Sequence, residues 1–336
     1  MNLVGAHVSA TGGVYEAVPR IAEIGGTAFA LFLKNERRWV AKPYTPEVIS
    51  EFKASCAAHK YNPRTDVLPH GSYLINLANP DEEKREKAEN ALLDDLQRCE
   101  LLNIGLYNLH PGSTLGTDKS TAMARIAESI NRAHTKTSFV KVVLENMTGN
   151  VDRVVGTRLE DLAGIIDLVQ DKDRVGVCID TCHSVAAGYD MRTEETFNAF
   201  WSKFDKVIGY KYLAGIHLND SKFPLNSGRD VHQNLGLGFV GLETFRLIMN
   251  KPELDKVPKI LETPVPDSQP ESRIEEIALL KWLIGRQADD PEVLAKSDDL
   301  QKKGAAERKL NEAKVLAKSL KQTTFRTVKR KAEEIE

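Results

Sequence analysis

The chain of 336 residues is long enough for one large domain or two smaller ones, and 46 Lys and Arg against 48 Asp and Glu leave a formal net charge of -2. That balance excludes attraction to nucleic acid by bulk positive charge and shifts attention to where the charges sit. No run of about 18 apolar residues occurs, so no membrane span is expected, and the opening MNLVGAHVSA does not read as a secretory leader.

Taken in chain order, short β-rich runs at 3–9, 28–33, 66–70, 106–110, 140–145, 175–180, 213–218 and 258–262 predict eight strands. Between them lie segments with helical spacing at 14–25, 46–60, 82–105, 120–134, 159–170, 193–204, 241–249 and 272–284. Parallel strands need crossovers of a dozen or more residues, and runs such as KVVLE and RVGVCID are apolar along most of their length, as strands buried on both faces must be. Eight such units predict an α/β fold, a (β/α)8 TIM barrel over residues 1–286. The competing doubly wound sheet is disfavoured because GAHVSATGG after the first strand has no GxGxxG fingerprint. Beyond Arg286 the alternation stops. Residues 287–336 read as a Lys-rich extension, partly helical or disordered, with eleven basic residues against Glu307 and Glu312 between Gln301 and Lys331.

The strand candidates end on polar residues with unusual regularity: His70 in VLPH, His110 in YNLH, Glu145 in VVLE, Asp180 in VCID, His217 in AGIH and Glu262 in KILE. In a barrel these ends converge on one face. Three more candidates follow shortly after strands: His183 in DTCH, and Asp230 and His232 in SGRDVHQN. A lone histidine near a strand end is ordinarily a hydrogen-bonded structural residue, but five histidines among four carboxylates at equivalent positions form a set. Imidazole with carboxylate suits zinc or manganese, and nine ligands exceed what one tetrahedral zinc uses, so two or three ions are expected. Three divalent ions would bring six positive charges against four carboxylates, and the surplus favours an anionic substrate such as a phosphodiester. Metal clusters suit that chemistry because they activate water and stabilise both attacking and leaving oxygens. No GxSxG elbow and no GxxxxGK[ST] loop occurs.

The four cysteines, Cys56, Cys99, Cys178 and Cys182, have no framework spacing, and a reducing compartment is the simpler expectation. Cys182 neighbours His183, yet a small buried cysteine is the common case. His7 is expected in a supporting role behind the ligands.

The strings GAHVSATGG, FLKNERRW, DVLPHGSYLINLA, YNLHPGSTLG, VLEN, GVCIDTCHSVAAGYD, HLNDSK and LETP closely resemble the endonuclease IV family of apurinic/apyrimidinic (AP) endonucleases, especially its fungal members, over about residues 3–285. The resemblance implies a zinc-dependent deoxyribonuclease that cleaves double-stranded DNA on the 5′ side of abasic sites and leaves a 3′-hydroxyl, with 3′-end cleaning as a further activity. It implies three zinc ions: His70 and His110 sharing one with Glu145, which bridges to a second completed by Asp180, His217 and Glu262, while His183, Asp230 and His232 hold the third. Glu145 is the catalytic residue of choice for mutation. Arg37, Tyr73 and Leu74 match family positions that probe the duplex, where inserting a side chain is least costly beside a missing base.

The chain departs from the family pattern at Met147 and Val151 in MTGNVDRVVG, where smaller residues are expected, and at Val231 before His232. A sugar isomerase or epimerase is the rival enzyme, needing only four ligands on one or two ions, and a catalytically silent DNA-binding protein is the rival outside enzymes. Nothing demands a partner subunit, so a monomer is expected. Lys329, Arg330 and Lys331 read as a nuclear address, with a mitochondrial fraction left open. Deletion after Arg286 is expected to spare catalysis in vitro.

Overall fold

The computed structural model of the chain describes residues 2–265 and 271–333, with side chains as far as residue 317. Its strands are β1 (Val4–His7), β2 (Ala28–Ala30), β3 (Leu106–Leu109), β4 (Lys141–Glu145), β5 (Val175–Asp180), β6 (Leu213–Leu218), β7 (Asp220–Ser221), β8 (His232–Gln233) and β9 (Lys259–Leu261). Seven of them form one sheet in the order β2-β1-β9-β6-β5-β4-β3, and every pairing in it is parallel. The pair β7 and β8 is a separate antiparallel hairpin.

The strand expected at 66–70 differs from its prediction. Asp66 ends a single helical turn, and Pro69 has no N–H to give a regular ladder, yet residues 67–71 still close the gap between β2 and β3. Leu68 N donates to Phe29 O at 2.9 Å and His70 N to Leu31 O at 3.0 Å. On the other side Gly71 N donates to Asn108 O at 2.7 Å, and Asn108 N to Pro69 O at 2.8 Å. The fold is a TIM barrel, closed by an irregular eighth segment.

The period of two along each strand decides what faces the barrel interior. Ala28, Ala30, Leu68, Val143, Cys178, Ala214 and Ile260 fill it, with Leu3 and Leu106 at its edge. The alternate residues, Phe29, Val142, Leu144, Val177 and Ile179 among them, join the larger core under the helices. Two residues beyond the interior layer stand His70, Glu145, Asp180 and Glu262, and so the same parity that buries Leu68, Val143, Cys178 and Ile260 aims these polar side chains inward at the carboxyl end. Where β6 pairs with β5 the register shifts between Val177 and Cys178, whose partners are Leu213 and Gly215. That bulge turns Gly215 inward, where a Cβ would stand 2.6 Å from Leu68 Cδ2, and His217 follows it onto the same face.

Helices α1 (Ala17–Glu23), α2 (Pro46–Ala58), α3 (Pro63–Asp66), α4 (Glu82–Leu102), α5 (Lys119–His134), α6 (Leu159–Leu168), α7 (Thr181–Ala186), α8 (Glu194–Val207), α9 (Leu242–Met249), α10 (Ser272–Trp282) and α11 (Pro291–Glu333) surround or extend the barrel. Thr45, Asp81 and Asp118 cap α2, α4 and α5 by accepting backbone N–H groups. Helix α11 runs 43 residues without a break in secondary structure, so the extension expected to be partly helical or disordered is one long helix as far as Glu333. The basic triplet 329–331 has no described side chains.

Asp220, fully buried, organises the loop after β8. Its carboxylate accepts from the backbone N–H groups of Ser221 (2.7 Å), Gly236 (2.9 Å), Gly238 (3.1 Å), Val240 (2.8 Å) and Gly241 (3.3 Å). Removing it would strand those amides away from water. Asp220→Ala is expected to lower stability by about 3–5 kcal/mol, read as a drop in the urea midpoint at unchanged slope. A shift under about 0.5 kcal/mol would place the loop's order elsewhere.

Candidate metal centre

The inward-facing side chains at the carboxyl end meet around Glu145, which is buried at the end of β4. His70 Nε2 lies 3.3 Å from Glu145 Oε2 and His110 Nε2 3.7 Å from the same oxygen. His183 Nδ1 and His217 Nδ1 approach the other oxygen, Oε1, at 3.3 and 3.2 Å. His217 Nδ1 also stands 3.3 Å from Glu262 Oε2. Further toward the rim, Asp230 receives His183 Nε2 at 3.0 Å and His232 Nε2 at 3.2 Å. All nine candidates are brought together, and they fall into three sets whose ligand atoms lie within 4.8 Å of one another: His70, His110 and Glu145; Glu145, Asp180, His217 and Glu262; His183, Asp230 and His232. Asp180, Cys182 and His232 form a fourth, overlapping group, but burial raises the Cys182 thiol's pKa far above its ordinary value, which disfavours the thiolate a metal needs.

Hydrogen bonds fix which imidazole nitrogen is free. His70 Nδ1 is 2.7 Å from Gly71 O, His183 Nδ1 is 2.9 Å from Asn146 O, and His232 Nδ1 is 3.3 Å from Glu262 O. A carbonyl can only accept, so Nδ1 carries a hydrogen in each ring and Nε2 is the atom turned to the cluster. The Nε2 atoms of His183 and His232 are buried without a hydrogen-bond partner, although both lean on the Asp230 carboxylate. Imidazole Nε2 atoms converging with carboxylate oxygens are a set that a divalent cation can occupy in place of the protons those rings hold without it. The residues fit metal ions.

Electrostatics agree. Burial works to raise the Glu145 carboxyl, but His217, His110 and His183 around it hold it well below the usual carboxylate range. Burial opposes charge on His232, yet Asp230, Asp180 and Glu262 outweigh it and push the imidazole up to about 9. His110 goes the other way, pushed down to about 4, chiefly by burial. The site is a dense mixture of anions and proton-holding imidazoles in which cations can replace protons.

Three asparagines that the sequence reading did not single out hold the carboxylates in place. Asn108 Nδ2 donates to Glu145 Oε2 at 2.6 Å, and Asn219 Nδ2 to Asp180 Oδ2 at 2.6 Å. Asn219 Oδ1 accepts from Glu262 N at 3.0 Å, and Asn146 Oδ1 from Asp180 N at 2.6 Å. Each asparagine sits one or two residues from a strand-end ligand, in YNLH, VLEN and HLND, and that adjacency was the available signal. His7 stands behind Glu262, Nδ1 to Oε1 3.7 Å, and packs on Phe32 with ring centroids 4.5 Å apart.

The duplex-probing candidates lie at the rim of the same face. Tyr73 is 61% exposed and Leu74 39%, and the Tyr73 ring is 5.2 Å from His70 and 5.6 Å from His110. Arg37, with 88% of its side chain exposed, follows a segment anchored at Lys34 and Glu36. Ser72 Oγ donates to Glu36 O, while buried Lys34 pairs with Asp94 at 2.7 Å and Asp95 at 3.0 Å on α4. Tyr107 on β3 donates to Asp95 at 2.6 Å. Of the departing residues, Met147 N donates to Gly156 O at 2.8 Å, and Val151 and Val231 are exposed at the surface.

Barrel and site together define a TIM-barrel protein whose carboxyl-end face carries side-chain sets able to hold several divalent ions. Residues 18–283 match the family described as xylose isomerase-like TIM barrel. The chain is 52% identical to apurinic-apyrimidinic endonuclease 1 of Saccharomyces cerevisiae over 279 residues, 83% of this chain and 75% of the relative. It is 46% identical to apurinic-apyrimidinic endonuclease 1 of Schizosaccharomyces pombe, covering 85% of this chain and 83% of that one. Among solved structures, endonuclease IV from Thermus thermophilus superposes with a TM-score of 0.72 at 31% identity, over 83% of this chain and 98% of its own. The chain belongs to the endonuclease IV family of AP endonucleases.

Proposed function

We propose that this protein is a DNA repair endonuclease that hydrolyses the phosphodiester on the 5′ side of abasic sites in double-stranded DNA, leaving a 3′-hydroxyl, and that it also trims blocked 3′ ends. The cofactor in this reading is zinc, three ions per chain, held by the sets around Glu145, Glu262 and Asp230. The observation that carries it is the sharing of Glu145 between two sets while a third stands beside it at the rim. Zinc, when bound, supplies activation of water near neutral pH and positive charge for the attacking and leaving oxygens. The protein's own contribution is placement: Glu145 between two sets, Asn108 and Asn219 fixing carboxylate orientation, and Nδ1 hydrogen bonds aiming three imidazoles.

Selectivity falls to Arg37, Tyr73 and Leu74, exposed beside the cluster where they can enter a base stack weakened by a missing base. Tyr73→Ala is expected to weaken binding of an abasic duplex by about 1–3 kcal/mol with unchanged zinc content. Equal affinity of mutant and wild type would remove Tyr73 from this role. The sugar isomerase rival needs only one of the sets, and leaves the rim trio without a purpose.

We take residues 1–286 as the catalytic barrel and 287–336 as the extension, the enzyme as a monomer, and the 329–331 triplet as a nuclear address. The test of the reaction is incision of a duplex with one abasic site, followed by analysis of the new ends. A 3′-hydroxyl at a nick 5′ of the lesion is expected. A nick 3′ of it, or none, would overturn the assignment.

A further inference from the structure

Asp230 and His232 are carried by the hairpin in which β7 pairs with β8, Asp220 opposite Gln233 and Ser221 opposite His232. One face of this hairpin meets His183. Its other side is gripped by α11, far along the extension. Glu307 Oε1 lies 2.9 Å from Lys222 Nζ, and Glu307 Oε2 accepts from Gln233 Nε2, so one carboxylate ties both arms of the hairpin. A turn later Asn311, buried, donates from Nδ2 to Lys222 O at 3.0 Å.

The next loop is held the same way. Gln301 Nε2 donates to Gly236 O at 2.6 Å and Gly238 O at 3.1 Å, and Arg308 donates to Leu237 O at 2.6 Å. Gly304 lets the helix approach, since a Cβ there would stand 2.0 Å from Leu237 O. Residues 301, 304, 307, 308 and 311 share one helix face, while Lys302 and Lys303 on the far side pair with Asp298 and Asp299 of their own helix. Four of the loop's N–H groups, at 236, 238, 240 and 241, go to Asp220, and the carbonyls of 236, 237 and 238 go to α11, so those three carbonyls depend on the extension for their partners.

We propose that α11 from Gln301 to Asn311 is a brace that positions Asp230 and His232, and that the extension is thereby part of the rim metal set. Gln301, Glu307, Arg308 and Asn311 are positioning residues in this sense. The inference rests on the reading of His183, Asp230 and His232 as ion ligands. Under it, the part of the extension that catalysis can spare begins beyond Asn311, and not at Arg286.

The test uses full-length protein carrying Glu307→Ala, with Gln301→Ala as a milder second variant and exposed Lys309→Ala as the control on the same helix. Two quantities are read: transfer of zinc to a competing chelator, and hydrogen exchange of residues 222–241 in the zinc-stripped protein. Glu307→Ala is expected to release one ion, and not the others, with about 10–100-fold weaker affinity. Its 222–241 amides should exchange faster, its incision should return on adding zinc, and Lys309→Ala should behave as wild type. Wild-type zinc retention and exchange in both Glu307→Ala and Gln301→Ala would overturn the brace. Asp230→Asn separates the two ideas. If it loses no ion, the rim set itself is wrong and the proposal falls with it; if it loses one while the brace variants lose none, only the brace is overturned.

Discussion

Glu145→Gln is expected to lower incision of an abasic duplex by about three orders of magnitude or more, while binding of the same duplex stays within a few-fold of wild type. The side chain is buried and has four imidazoles within 3.2–3.7 Å, two on each oxygen. Glutamine keeps its shape, so the barrel layer of Val143 survives, and so does the Asn108 contact with the amide oxygen in the place of Oε2. It loses the charge that holds those rings, and replaces one ligand oxygen by an N–H donor that no cation can use. The lost charge weakens both sets that share Glu145, whereas Arg37, Tyr73 and Leu74 are untouched. Gel-shift affinity and single-turnover incision measured on the same preparation check this; wild-type turnover would remove Glu145 from the centre.

Stripping the ions should have an equally large effect. A chelator strong enough to empty the site is expected to abolish incision, and zinc to restore it. Stability falls too, because any ion that binds only the folded protein stabilises it by about 4 kcal/mol at a thousand-fold excess over its dissociation constant. The stripped protein should therefore melt well below the loaded one, and retention of full activity after verified stripping would contradict the account. Acid should act in the same direction. His232 is pushed up to about 9 by Asp230, Asp180 and Glu262 against the opposing effect of burial, so in the ion-free protein it holds its proton through neutrality. A zinc ion bound there would have to displace that proton, so the apparent affinity of the rim set is expected to weaken as pH falls.

Much of this was legible in the sequence because a parallel barrel announces itself twice: in apolar runs, and in what stands at their ends. Leu68 and His70, Val143 and Glu145, Cys178 and Asp180, and Ile260 and Glu262 are each two residues apart, and period two carries the ligand to the face of the core residue. His217 could not be aimed this way, because the bulge at Gly215 is a property of pairing with β5 that no local pattern encodes. The expected division of nine candidate ligands into three sets rests on the family resemblance, since spacing alone leaves two or three ions open. Pro69 hid the irregularity of the closing segment within an otherwise β-like run. The docking of α11 was invisible for a different reason. Among its described residues only Val293 and Leu300, near its start, are apolar residues packed on the core; beyond them the contact face is Gln301, Gly304, Glu307, Arg308 and Asn311, polar or small residues bonded to backbone carbonyls, Lys222 and Gln233, and apolar periodicity carries little signal for such a surface.

We propose that Glu145 and its neighbours form three ion sites that act as one. This is tested most directly by adding zinc to stripped protein in counted equivalents and measuring bound metal and 5′ incision of an abasic duplex on the same samples. Binding that saturates near three zinc per chain, with full incision reached only as the last equivalent is bound, is the predicted result. Saturation at one zinc, or full incision with the rim set still empty, would contradict it.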